Sequence, residues 1–237
     1  MEPFRAFTSK LVPLAADNVD TDQVIPARFL KATDKAGMGE HLFADWRYHA
    51  DGSPRPEFVL NRPGMAGRRV LLAGDNFGAG SSREHAAWAL LGWGFRAVLA
   101  TSFADIFRAN ALKNGLLPVQ LAAADHAELA AAVDADPEVE VTVDLAAEAV
   151  TLPGGRAAGF QVDPFARQML LEGTDELGFL LAQADAVAAF EAAHPPRVDT
   201  LLPGAPVPGS PDPLFSGAPV PGSPDPSTRP SGPSGLA

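Results

Sequence analysis

The sequence of 237 residues contains no cysteine. That excludes disulfides, a thiol nucleophile, and any zinc–thiolate or iron–sulfur site whose ligands come from this chain alone. Positive charge is scarce as well. Eighteen Lys and Arg against 29 Asp and Glu leave a formal net charge of -11, which opposes binding to nucleic acid or to an anionic membrane surface. No basic run is interleaved with aromatic residues, and no apolar run approaches bilayer length. The opening MEPFRAFTSKLVPLAADNVD carries Glu2 and two prolines and lacks an apolar h-region, so it does not read as a signal peptide. A cytoplasmic protein is expected.

What is present is an ordinary globular composition, 46% hydrophobic and 20% charged, long enough for one sizeable core with an appendage. The appendage is conspicuous: 13 of the 23 prolines fall between Pro195 and the C-terminus, and GAPVPGSPDP occurs twice, at 204–213 and 217–226. So short and proline-rich a repeat can neither bury a core nor complete a sheet, and predicts a disordered tail over 195–237 behind a folded domain at 1–194. Its PxxP spacings lack flanking basic residues, which favours a solvated tail over a polyproline ligand.

Within the folded part, RRVLLA (68–73), FRAVLA (95–100) and LLPVQL (116–121) read as short buried strands. Between them lie helical patterns from about Ser82 to Leu91 and over 102–115, the second closed by Gly115. This alternation implies a parallel sheet. A helix in 124–136, antiparallel strands at 139–145 and 148–153, a return near 157–162, and two short helices opened by Asp163-Pro164 and Thr174-Asp175 follow. Residues 1–66 are less regular, with short strands expected at 6–14 and 23–27 and a long loop from Lys31 to about Gly67. The fold class is α/β, a parallel core with an antiparallel portion attached.

The stretch GDNFGAGSSREH (74–85) stands after a strand and before a helix, where a phosphate loop would stand, yet it fails both phosphate signatures. Gly80 is followed by Ser81-Ser82-Arg83 rather than Lys-Ser/Thr. Counted from Gly78, the third glycine of a dinucleotide fingerprint is replaced by Arg83. A serine-hydrolase elbow is absent too, although Ser81 and His85 are one helical turn apart. Pattern alone favours a capping box, Ser81-x-x-Glu84, over catalysis. Nothing in capping, however, calls for Gly78 and Gly80 beside an arginine, and Arg83 in a first helical turn opposes the helix dipole unless the site receives an anion such as a carboxylate. The acidic segment DNVDTDQVIPARFL (17–30) is not an EF-hand: counted from Asn18, position six is Gln23 and position twelve is Phe29. An Asx-rich turn before a strand is the plain account.

Taken together, NVDTDQVIPARFL, GDNFGAGSSREHAAWAL, SFADIF and NGLLPV, with HLFADWRY and FVLNRP between them, resemble the small subunit of 3-isopropylmalate dehydratase, a relative of the swivelling domain of aconitase. The likeness runs in order from about residue 4 to residue 193; the tail lies outside it. The family usually carries a cysteine where this chain has Ala79. The resemblance implies a swivelling β/β/α domain and a hydro-lyase that moves a hydroxyl between adjacent carbons by dehydration and rehydration. It implies a 4Fe-4S cluster, acting as Lewis acid on the departing hydroxyl, held by three cysteines of a large partner subunit and not by this chain. Ser81 matches the family's catalytic serine, whose alkoxide takes the proton from the carbon beside a carboxylate. Ser82 and Arg83 match residues that bind the substrate carboxylate.

The segment matching the loop that reads the substrate's variable group comprises Leu30, Lys31, Ala32 and Thr33, with Arg28 just before. An isopropyl group needs apolar contact from Phe29, Leu30 or Ala32; a third carboxylate, as in homoaconitate, would call for Arg28 or Lys31. The HLFADWRY insertion looks like the isopropylmalate form. Alternatives remain a related homoaconitase- or citraconate-type subunit, a non-catalytic interaction module of the same fold, and a free-standing nucleotide-binding α/β protein.

Overall fold

The computed structural model describes residues 1–31, 34–80 and 83–194. The chain divides into two compact units, Met1–Ala184 and Asp185–Ala237. In chain order the first contains β1 (Phe7–Leu14), α1 (Thr21–Val24), α2 (Ala44–Arg47), β2 (Val70–Ala73), α3 (His85–Trp93), β3 (Ala97–Ala100), α4 (Asp105–Asn114), β4 (Leu117–Gln120), α5 (Ala123–Ala135), β5 (Glu140–Asp144), β6 (Ala149–Thr151), β7 (Ala157–Gly159), α6 (Pro164–Glu172) and α7 (Glu176–Ala182). A further helix, α8 (Ala184–Ala193), makes up nearly all of the described part of the second unit.

The seven strands form one sheet in the order β4-β3-β2-β1-β5-β6-β7. β1 is its seam. Leu11 to Leu14 pair with β2 in parallel, while Phe7 to Lys10 pair with β5 antiparallel. The expected division into a parallel core and an antiparallel portion therefore falls inside a single strand. β2 and β3 are buried at every position, as continuous apolar runs covered on both faces should be.

Side chains alternate between two cores. Leu11, Val70, Leu72, Leu99 and Val119 pack with Leu129 and Val133 of α5 and Leu170 of α6. Val12, Leu71, Val98 and Ala100 face the opposite way, onto Ala86 and Leu90 of α3 and Phe107 and Ala111 of α4. The buried Arg68 ties the seam together: its guanidinium donates to the carbonyls of Gly64 (2.8 Å), Leu11 and Pro137 (both 2.7 Å) and pairs with Glu138 at 2.8 Å. Lys10 also bonds Glu138, and it is chiefly this bond that lowers the carboxyl's pKa.

Three expectations need correction. The strand expected at 23–27 is absent. Asp20 instead caps α1, accepting from Asp22 N at 2.7 Å, while Gln23 Oε1 accepts from Asp20 N at 2.8 Å. This reciprocal box outweighs the strand preference of Val24 and Ile25. The helix expected from Ser82 begins at His85, with Glu84 at its N-cap rather than its third position, so the Ser81-x-x-Glu84 box does not describe its start. The long loop of 31–67 is no mere surface connection. It forms short 3-10 turns at Met38–His41 and Val59–Asn61 and sends Met38, Leu42, Phe43, Leu60 and Met65 into the α3 and α4 side of the core. The two C-terminal helices open as expected, with Asp163 accepting from Ala166 N and Asp175 from Gly178 N; each such cap is worth about 1 kcal/mol.

Candidate active site

The glycine-rich stretch and the acidic segment, some 58 residues apart, are joined along their backbones. Gly74 N donates to Ala16 O (3.1 Å), Asn18 N to Asp75 O (2.8 Å), Gly78 N to Val19 O (2.8 Å) and Thr21 N to Ala79 O (2.8 Å). Side chains add to the seam: Asp17 accepts from Asp75 N at 2.7 Å, and Asn76 Nδ2 donates to Asn18 Oδ1 at 2.9 Å. Asn18 and Asn76 both take positive φ, 54° and 51°, which asparagine tolerates better than most residues. The carboxylates of Asp17 and Asp20 are thus occupied as local acceptors.

A third motif closes the arrangement. Asp75 Oδ1 accepts from Thr101 Oγ1 (2.8 Å) and Ser102 Oγ (2.6 Å), and Ser102 Oγ accepts from Asn76 N (2.9 Å). The two hydroxyls, that of Ser102 foremost, lower the Asp75 pKa. Phe77 is fully buried against Phe103 and Phe107 in edge-on contacts. From the fourth motif, Asn114 Oδ1 accepts from Trp88 Nε1 and Lys35 Nζ, both at 2.8 Å. Two distant segments, 16–21 and 101–107, therefore hold the glycine-rich loop, and Asn114 ties the helix that follows it to Lys35.

The glycines that capping left unexplained have a steric reason. A Cβ on Gly78 would lie 2.2 Å from Phe107 Cγ, and one on Gly80 would lie 2.2 Å from Asp20 Oδ2; their φ angles are +82° and +90°. Both positions combine a left-handed backbone with an approach that admits no side chain.

Past Gly80, Ser81 and Ser82 lie outside the described residues, as do Ala32 and Thr33. Arg83 is exposed and shares a small cleft with Leu30, Ile25, Thr21, Asp22, His85 and Ala86. Leu30 is half-buried and packs on the core. Arg28 lies elsewhere: it lines a larger cavity of about 690 Å³ with Phe29, Glu40, His41, Tyr48 and His49. There its Nη2 pairs with Asp45 Oδ1 at 2.6 Å, and this bond raises the guanidinium's pKa. Lys31 is exposed. The structure thus brings Leu30 and Arg83 together and places Arg28 apart. Sequence reasoning missed Ile25 in the cleft and Asp20 as its anchor. The D-x-x-Q spacing of a capping box could have found Asp20; the Asp75–Ser102 bond has no local signal.

The fold is that of a known class. Residues 1–124 match the Aconitase C-terminal domain, and residues 127–164 match LeuD_N. The chain belongs to the family of 3-isopropylmalate dehydratase small subunits. It is 63% identical over 191 residues to the 3-isopropylmalate dehydratase small subunit of Anaeromyxobacter dehalogenans strain 2CP-C, covering 81% of this chain and 98% of that one. To the corresponding subunit of Roseiflexus castenholzii it is 56% identical over 200 residues, covering 84% and 98%. The crystal structure of 3-isopropylmalate dehydratase (LeuD) from Methanocaldococcus jannaschii superposes with a TM-score of 0.56 at 25% identity, covering 78% of this chain and 99% of that one.

Proposed function

We propose that this chain is the small subunit of a hydro-lyase that interconverts 2- and 3-isopropylmalate in leucine biosynthesis and works only with a large iron–sulfur subunit. The observation that carries the substrate choice is that the exposed Arg83 and the half-buried Leu30 border one narrow cleft of about 10 Å³. Arg83 offers a guanidinium for a carboxylate and Leu30 an aliphatic edge for a branched alkyl group, at a rim too small to enclose a substrate without a partner's surface.

A chain without cysteine has no donor set for a cysteine-held cluster, and among the described residues no group of three or more His, Asp or Glu is placed to hold a metal ion. The 4Fe-4S cluster in this proposal belongs to the large subunit. What this chain supplies is positioning and proton transfer. Ser81 takes the proton from the carbon next to the carboxylate as the hydroxyl leaves the adjacent carbon, and returns it in rehydration. Arg83 and Ser82 hold the carboxylate, fixing which carbon faces Ser81. Arg83, just ahead of the helix start at His85, also favours the charged form of a nearby serine. The apolar wall of Leu30, with Lys31, Ala32 and Thr33 following it, reads the alkyl group.

The test is reconstitution with the cognate large subunit. The complex should turn over both isopropylmalates and the lone chain neither. Ser81→Ala should abolish turnover while the complex still forms; near-normal kcat would refute the assigned role. Activity of the isolated chain would refute the dependence on the large subunit.

A further inference from the structure

The short helix α7 is turned inside out. Leu177, Leu180 and Leu181 stand at i, i+3 and i+4, the spacing of a core-facing stripe, yet they are 64%, 62% and 67% exposed, and no residue of α7 is buried. Elsewhere in the first unit, among the described residues, the exposed large hydrophobics are the scattered Met1, Ile106 and Phe165. The helix is held in place from its other side. Phe179 meets Phe165 edge-on at 4.9 Å, Asp175 caps the first turn, and Lys113 of α4 pairs with Glu176 at 3.4 Å. An element attached by these few contacts, with an uncovered leucine stripe, has the form of an interface surface.

Its location limits what can cover it. Leu177 and Glu176 line a cavity of about 260 Å³ whose wall also includes Glu84, the residue next to Arg83. Any protein that completes the site at Arg83 must come up to this rim. We infer that the Leu177–Leu180–Leu181 stripe is a docking surface for the large subunit, continuous with the active-site face. The inference rests on the reading of this chain as a small subunit. A second copy is disfavoured by charge: an isologous contact through α7 would set Glu172, Asp175 and Glu176 of the two chains against each other, with one lysine, Lys113, to offset them in each.

The experiment compares the full chain with Leu177→Glu/Leu181→Glu and with the milder Leu180→Ala, measuring association with the cognate large subunit by calorimetry and self-association by sedimentation. The double variant should keep the wild-type melting curve, since the stripe is solvent-exposed. It should bind the large subunit about tenfold more weakly or worse, and at saturating large subunit it should retain kcat within about twofold. Leu180→Ala should weaken association in the same direction by less. Unchanged affinity in both variants overturns the proposal. So does loss of a small-subunit dimer with normal complex formation, or tighter binding by wild type once residues 195–237 are deleted, which would name the tail as occupant. Binding of wild type without turnover of isopropylmalate would sink the proposed activity and leave the docking surface standing. Failure of wild type to bind at all overturns both.

Discussion

Gly80 shows how narrowly the loop is specified. Its φ of +90° suits glycine, and a Cβ there would enter the carboxylate of Asp20, which is itself fixed as the cap of α1. Gly80→Ala therefore meets two penalties, left-handed strain of about 1–2 kcal/mol and a clash that only movement of Asp20 or of the loop can relieve. Because Ser81 is the next residue, relief by the loop displaces the proposed base. The expected outcome is a loss of about a hundredfold in kcat/KM of the reconstituted enzyme, with complex formation retained; a variant within about twofold of wild type would show that the backbone here has slack. The two glycines were visible in the sequence as unexplained by a helix cap; the anion was invoked there for Arg83, which the structure places ahead of the helix rather than in its first turn. Phe107 and Asp20 supply the reason for the glycines, and neither is near in sequence, so no local pattern could name them. Arg28 illustrates the converse: its place before the specificity segment suggested a substrate contact, and its bond to Asp45 became visible only in three dimensions.

At the scale of elements, the parallel strands were legible because burial on both faces demands unbroken apolar runs, and RRVLLA and FRAVLA have them. The helix starts at Asp163 and Asp175 were legible because capping is local chemistry. The strand expected at 6–14 is β1; residues 15–66 were not legible, since Met38, Phe43 and Leu60 gain their burial from α3 and α4 rather than from neighbours in the chain. The seam between the loop after β2 and the loop after β3 is of this long-range kind, and its titration can be used to test it. Asp75 has its pKa lowered by bonds from Ser102 and Thr101, so the folded state binds a proton less readily than the unfolded state. The stability this adds is present above the ordinary aspartate range and is lost as the pH falls through the depressed folded value. Urea unfolding across an acid pH series should show wild type losing its advantage over Asp75→Asn as the pH drops, with the two curves converging at the acid end. Parallel curves at all pH values would mean that the seam does not depend on the Asp75 charge.

For the whole molecule, the question is what the last forty-odd residues do. The relatives from Roseiflexus and Anaeromyxobacter are matched over 98% of their own length by 84% and 81% of this chain, and the two family models end at residue 164. Some forty residues of this chain thus lie outside the match to either of these two relatives. The site residues proposed here all precede the tail at 195–237, from Leu30 to Arg83, and so does the α7 stripe at 177–181. If the catalytic unit ends near residue 194, a chain truncated there should fold with the same melting temperature, bind the large subunit with the same affinity and support the same kcat and KM. Removing the tail takes away Asp199, Asp212 and Asp225 against Arg197 and Arg229, which alters the net charge by one unit and leaves the acidic character of the molecule intact. A drop in kcat on truncation would place part of the tail in the active complex. A drop in affinity alone would make it a second attachment to the large subunit, acting by effective concentration rather than by chemistry.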